Sequence, residues 1–154
     1  MKQNCRRFVW AGVSVLVLVI VVTFSRAQGG GASPQVIASD LEVYSISAPS
    51  SATRGTPISV SDVTTNIGNA GAAQSVSDIY ICTSVNSVSS SCKVSSHVVG
   101  VMAVGGSYLW AGSVTVPSKQ PRGTNYYIVV ANGNRQVVES NYNNNTNYVM
   151  IIIN

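Results

Sequence analysis

The chain has a single histidine, His97, and this limits the acid–base chemistry it could run. Its possible acidic partners are Asp40, Glu42, Asp62, Asp78 and Glu139, five side chains widely spaced along the sequence. General acid–base and nucleophilic mechanisms need titratable groups that converge on one point. Serines are plentiful, but a serine–histidine–aspartate arrangement could be built only around His97. That residue lies in a valine-rich stretch, where a strand-edge or surface position is expected. Asp62 and Asp78 could meet on neighbouring strands as a carboxylate pair, which is the one other catalytic arrangement on offer. No glycine-rich loop joins a strand to a helix as a phosphate cradle would require. The expectation is a protein that is not an enzyme, with no catalytic residues, no cofactor and no metal site.

Cysteine chemistry points elsewhere. Cys82 and Cys92 span eleven residues counting both ends, most of them polar and many of them serine. In an oxidising compartment they are expected to form a disulfide that pins this excursion, worth roughly 2.5–3 kcal/mol in the loop-entropy picture. A zinc or redox pair is the alternative. The spacing is wide for either, and His97 alone adds too few soft ligands.

The compartment follows from the N-terminus. Nine Lys and Arg face five Asp and Glu, but Lys2, Arg6, Arg7 and Arg26 all lie within the first 27 residues. The remainder balances five cations against five acids, so the folded part has no net basic excess with which to displace counterions from a nucleic acid. Lys2, Arg6 and Arg7 precede an uncharged apolar run from Phe8 to Phe24, and Ser25-Arg26-Ala27 offers small residues around a cut after Ala27. Residues 1–27 therefore read as a signal peptide with an apolar export helix. An uncleaved signal anchor is the alternative, since 17 residues lie at the lower limit for crossing hydrocarbon. Either way the domain lies outside, secreted, periplasmic or on the cell surface, and touches a membrane only through this segment if it stays uncleaved. Cys5 precedes the apolar run, so no lipid attachment is indicated. Residues 28–39, rich in Gly and Ser, read as a flexible linker.

The elements that must position any site are strands. Beyond the linker no helical period is found, and Ser, Thr, Val and Ile dominate. Leu41, Val43 and Ile46 begin a first strand, closed by Ala48-Pro49-Ser50-Ser51. Ile58, Val60 and Val63 make a second, after a turn at Arg54-Gly55-Thr56-Pro57. Val76, Ile79 and Ile81 lead a third into Cys82. His97–Val104 is expected as a fourth, before a Gly105-Gly106 turn. Tyr108, Trp110, Gly112, Val114 and Val116 alternate onto one face of a fifth. The unbroken run Tyr126–Val130 suggests a central strand covered on both faces. Gln136–Glu139 reads as a short strand and Tyr148–Ile153 as the last. The expected fold is all-β, an immunoglobulin-like two-sheet sandwich of about seven strands over residues 40–154.

The closing segment carries a resemblance. Gly123-Thr124-Asn125-Tyr126-Tyr127-Ile128, then Val137-Val138-Glu139-Ser140-Asn141-Tyr142-Asn143-Asn144-Asn145, resembles the end of a CARDB domain, a cell-adhesion-related domain found in bacteria. Such domains close with a Gly-Thr-Tyr-Tyr-Leu strand, a Val-x-Glu-Ser-Asn-Glu-x-Asn-Asn turn and a last apolar strand. Asp40-Leu41, Gly55-Thr56-Pro57 and Asn66-Ile67-Gly68-Asn69 resemble the family's opening. The resemblance implies an immunoglobulin-like sandwich with an adhesion or assembly role outside the cytoplasm and no enzymatic activity. Glu139, Asn141, Asn144 and Asn145 match the motif. Family members often carry an acid where this chain has Asn132 and another where it has Tyr142, so a cation site built on those acids is in doubt. Independently of the family, an asparagine run before a strand is a turn device, because Asn tolerates left-handed backbone angles and bonds nearby backbone groups.

Two functions follow as expectations. The first is a non-catalytic adhesion or binding module that contacts a surface glycan or protein of unknown identity, through its loops and through Tyr108, Trp110, Tyr142 or Tyr148. For Trp110, core packing is the simpler expectation. The alternative is a structural subunit or spacer of an envelope or filament, pairing through edge strands such as the apolar terminal one.

Overall fold

The computed structural model describes residues 36–154. The expected export segment with its apolar helix, and most of the expected linker, lie outside the described residues. Eight strands follow in order: β1 (Leu41–Ser47), β2 (Ser51–Ala52), β3 (Pro57–Asn66), β4 (Ser75–Cys82), β5 (Lys93–Val99), β6 (Ser107–Thr115), β7 (Gly123–Val130) and β8 (Thr146–Ile153). They form a three-stranded sheet, β1-β3-β6, and a five-stranded sheet, β2-β8-β7-β4-β5. The strands pair antiparallel except for β2, which runs parallel to the end of β8 for two residues.

Alternating apolar residues explain the layering. In β3, Ile58 and Val60 face inward while Ser59 and Ser61 do not. In β6, Tyr108, Trp110, Gly112 and Val114 take the inner face as the alternation requires. Leu41, Val43, Ile79, Ile81, Val99, Val116, Tyr127, Val129, Ile151 and Ile153 close the core between the sheets. Each such side chain contributes about 1.5–3 kcal/mol by leaving water. The segment before β1 crosses directly over Gly68, where a Cβ would stand 2.5 Å from the Ala38 carbonyl oxygen. A side chain there would push the two segments apart, so glycine is required. Ala38 and Ser39 are themselves buried, so ordered packing begins two residues before the boundary read from sequence.

The fold departs from the expected strands in three places. The fourth strand is Lys93–Val99 and not His97–Val104, because the chain enters β5 directly from Cys92, and Met102 makes only an isolated bridge to Ala72. Gln136–Glu139 is not a strand. It contributes a single parallel bridge from Glu139 to Ser39, and side-chain bonds do the work of a ladder. The segment closing the first strand contains β2, a two-residue addition beside β8. The terminal strand is used within its own sheet, since β8 pairs with β7 over all eight residues.

Candidate functional site

The strands alternate in direction, so their connections gather at two ends of the sandwich. One end holds the asparagine-rich turn. Glu139 is buried there, and its carboxylate accepts three bonds, from the Leu41 amide at 2.6 Å, Asn132 Nδ2 at 2.6 Å and Asn145 Nδ2 at 2.8 Å. Asn132 takes φ 48°, a left-handed angle that asparagine accepts more readily than most residues. Its side chain then clamps residue 137 twice, accepting from the Val137 amide and donating to the Val137 carbonyl. Asn145 also donates to the Ala131 carbonyl, and Asn144 donates to Asp40 Oδ1 at 2.7 Å. Asn141 accepts from the Asn143 amide in a local turn. The Tyr142 hydroxyl lies between the Glu139 amide and the Val137 carbonyl, with Arg135 over its ring at 5.1 Å. Three of the four motif residues, Glu139, Asn144 and Asn145, thus tie the start of β1, the β7–β8 connection and β8 together in one knot, while Asn141 only shapes the local turn.

The opposite end is open. The Cys82–Cys92 disulfide, with Cα atoms 5.4 Å apart, closes the serine-rich loop. Facing it is the β6–β7 loop, held by a buried amide pair. Gln120 Nε2 donates to the Ile81 carbonyl at 2.9 Å and to Asn125 Oδ1 at 2.8 Å, and Asn125 Nδ2 donates to the Pro121 and Gly123 carbonyls. Between the loops lies a cavity of about 430 Å³, lined by groups that include Ser87, Ser89, Ser91, Lys119 and Gln120. Hydroxyls, an amide and one ammonium can hold a polar ligand. They include no acid–base pair to move a proton.

The residues capable of catalysis do not converge on either end. His97 lies on the edge strand β5, but it points inward and is buried, not at the surface as expected. Its ring stacks on Trp110 at 4.2 Å, and Gly112 leaves room for the indole, since a Cβ there would stand 2.5 Å from the Trp110 ring. His97 Nε2 is 3.4 Å from Asp62 Oδ1, close enough for a charge contact but not aligned as a hydrogen bond. Neither ring nitrogen bonds a serine, so no triad forms. Asp62 and Asp78 do not pair: Asp62 faces the interior, whereas Asp78 contacts Lys93 at 2.7 Å and accepts from the Tyr80 hydroxyl. The Tyr127 hydroxyl, fully buried nearby, has its pKa pushed well above the tyrosine range, first by burial and then by the charge of Asp62.

Of the four aromatic contact candidates, Tyr108 and Trp110 pack against the core and Tyr142 belongs to the knot. Only Tyr148 is open, 49 % exposed on the outer face of the five-stranded sheet. Gln120 and Asn125 were not singled out from sequence. A glutamine between two prolines shows nothing of the carbonyl it will reach.

A two-sheet, all-β sandwich with one tied end and one open end is an immunoglobulin-like architecture. The family model for CARDB matches residues 38–149, and the chain belongs to that family. Solved structures agree in fold. The CARDB domain of a Pyrococcus furiosus protein, determined in complex with di-metal ions, is similar at TM-score 0.58 and 17 % identity, over 76 % of this chain and 90 % of that one. A domain of a candidate cell-surface protein from Methanosarcina acetivorans is similar at TM-score 0.56 and 15 % identity, over 76 % and 93 %. A Listeria innocua beta-glucosidase shares the fold over 16 % of its own length, at 14 % identity and TM-score 0.50. No curated protein matches the chain.

At the knot both carboxylates, Glu139 and Asp40, already accept donors, while the side-chain oxygens of Asn144 and Asn145 are buried without a partner. Metals of the calcium and magnesium type need oxygen lone pairs aimed at one point. Both oxygens of Glu139 already take N–H donors, and two of those donors are Asn132 and Asn145. Among the described residues, no group of three or more His, Cys, Asp or Glu side chains is placed to hold a metal ion.

Proposed function

We propose that this chain is a non-catalytic binding module working outside the cytoplasm, with its bridged-loop end facing the ligand. The cavity between the Cys82–Cys92 loop and the β6–β7 loop carries this reading, because it joins serine hydroxyls and the Lys119 ammonium to a scaffold held by a disulfide and a buried amide pair. Loops presented by a rigid sandwich are a common place for recognition. The disulfide supports an oxidising compartment, and so does the similarity to a candidate cell-surface domain. Pairing of β8 along its full length with β7 supports a self-contained domain over a strand-exchanging subunit.

The test is retention of the exported protein on whole cells and on isolated envelope. Ser87→Trp, which fills the cavity mouth, is expected to lower retention several-fold while the melting temperature holds. Equal retention of the variant and the parent would remove the loop end from the function.

A further inference from the structure

The outer face of the five-stranded sheet carries an aromatic cluster that the sandwich core does not use. Tyr126 and Ile128 alternate with the inward-facing Tyr127 and Val129, so they point away from the core. Ile128 is nonetheless fully buried. Its neighbours across the strands are Tyr80 on β4 and Tyr148 on β8. Tyr126 lies opposite Met150 and meets Tyr148 edge-on, with ring centroids 5.8 Å apart and planes at 90°. Tyr148 and Met150 are 49 % and 58 % exposed.

We propose that this face, centred on Tyr126, Tyr148 and Met150, binds an uncharged oligosaccharide lying flat across β4, β7 and β8. Charge is the first reason. The outward-facing side chains of these strands and of β5 include two ionic groups, Asp78 and Lys93, and these neutralise each other at 2.7 Å. An ionic partner finds no free charge to meet.

Size is the second reason. With strands ~4.8 Å apart and residues ~3.4 Å apart, the patch from Tyr80 to Tyr148 and from Tyr148 to Ile152 measures about 10 Å by 14 Å. A stable protein interface needs about 800 Å² from each partner. The patch is far smaller, on the scale of a few sugar rings.

Rigidity is the third reason. Tyr80 and Tyr126 are half-buried and Tyr148 is braced by Tyr126, so little side-chain freedom is lost on binding. Apolar ring faces would take the C–H faces of the sugars, and the phenol tips would reach their hydroxyls.

The inference rests on the reading of the chain as a binding module but uses a different surface from the cavity. The two are separated by titrating the exported protein calorimetrically with neutral hexasaccharides of glucose, xylose and N-acetylglucosamine. At least one is expected to bind. Tyr148→Ser should weaken it tenfold or more, Tyr148→Phe should keep most of the affinity, and Tyr44→Ser on the three-stranded sheet should change nothing. Loss of binding in Ser87→Trp alone would overturn the assignment to this face and leave the binding-module reading standing. Absence of binding by every sugar, with a concentration-dependent dimer that Tyr148→Ser dissolves, would overturn it in favour of a second copy.

Discussion

The two ends of the sandwich use polar side chains in opposite ways. At the asparagine-rich end a single buried glutamate collects three donors, while the side-chain oxygens of Asn144 and Asn145 are buried without a partner. At the bridged-loop end the serine hydroxyls make few bonds, Ser89 with Ser91 and Ser84 with the Asn86 amide, and leave an open cavity. A network spent mostly on its own neighbours holds a fold together and leaves little for a ligand. An unsaturated one needs external support, and here the disulfide supplies it. The same residue classes can therefore be spent on neighbours at one end and left open at the other, depending on whether their partners lie within the chain.

The sharpest way to break this contrast is to remove Glu139. Glu139→Ala strands the Leu41 amide and two asparagine side chains in a buried site, and should cost about 3–4 kcal/mol in denaturant unfolding. A cost below about 1 kcal/mol would mean that the knot does not hold the domain. Next in size is the double change Cys82→Ser with Cys92→Ser, expected to cost roughly 2.5–3 kcal/mol. It should also loosen the cavity, seen as faster amide exchange over the serine-rich loop while the asparagine-rich end stays protected.

The interior between the two ends gives a smaller effect, visible only in alkali. The folded-state pKa of Tyr127 is raised, so its contribution is intact below the ordinary tyrosine value near 10 and is lost as pH climbs above it. Urea midpoints should fall above about pH 10, and Tyr127→Phe should flatten that fall. The smallest effect is expected from Ser87→Ala with Ser89→Ala, within about 0.5 kcal/mol of the parent in stability. A larger loss would show that the loop end, too, is structural.

The strands were legible from the chain because apolar alternation is local. Tyr108 to Val116 takes the face its pattern requires, and the run Tyr126–Val130 is the middle strand of five, although its outward Tyr126 and Val130 are only half-buried, so the cover on both faces that its lack of alternation implies is incomplete. The cysteine pairing was legible for the same reason, being a short loop. The segment Gln136–Glu139 misled because its apolar pair, Val137 and Val138, resembles a strand. Its hydrogen bonds in fact go to Asn132 and to the segment ahead of β1, about 100 residues away.

By itself, then, the sequence determined the all-β class, the family, the disulfide and the scarcity of catalytic groups, all properties of composition or of neighbours along the chain. Tertiary structure alone decided that His97 turns inward onto Trp110, that Asp62 and Asp78 part company, that Glu139 is a hub of buried bonds, and that Tyr126, Tyr148 and Met150 share one exposed face. The physical reason is register. Which side chains meet across a sheet depends on how distant strands align, and a shift of one residue would exchange every inner and outer position.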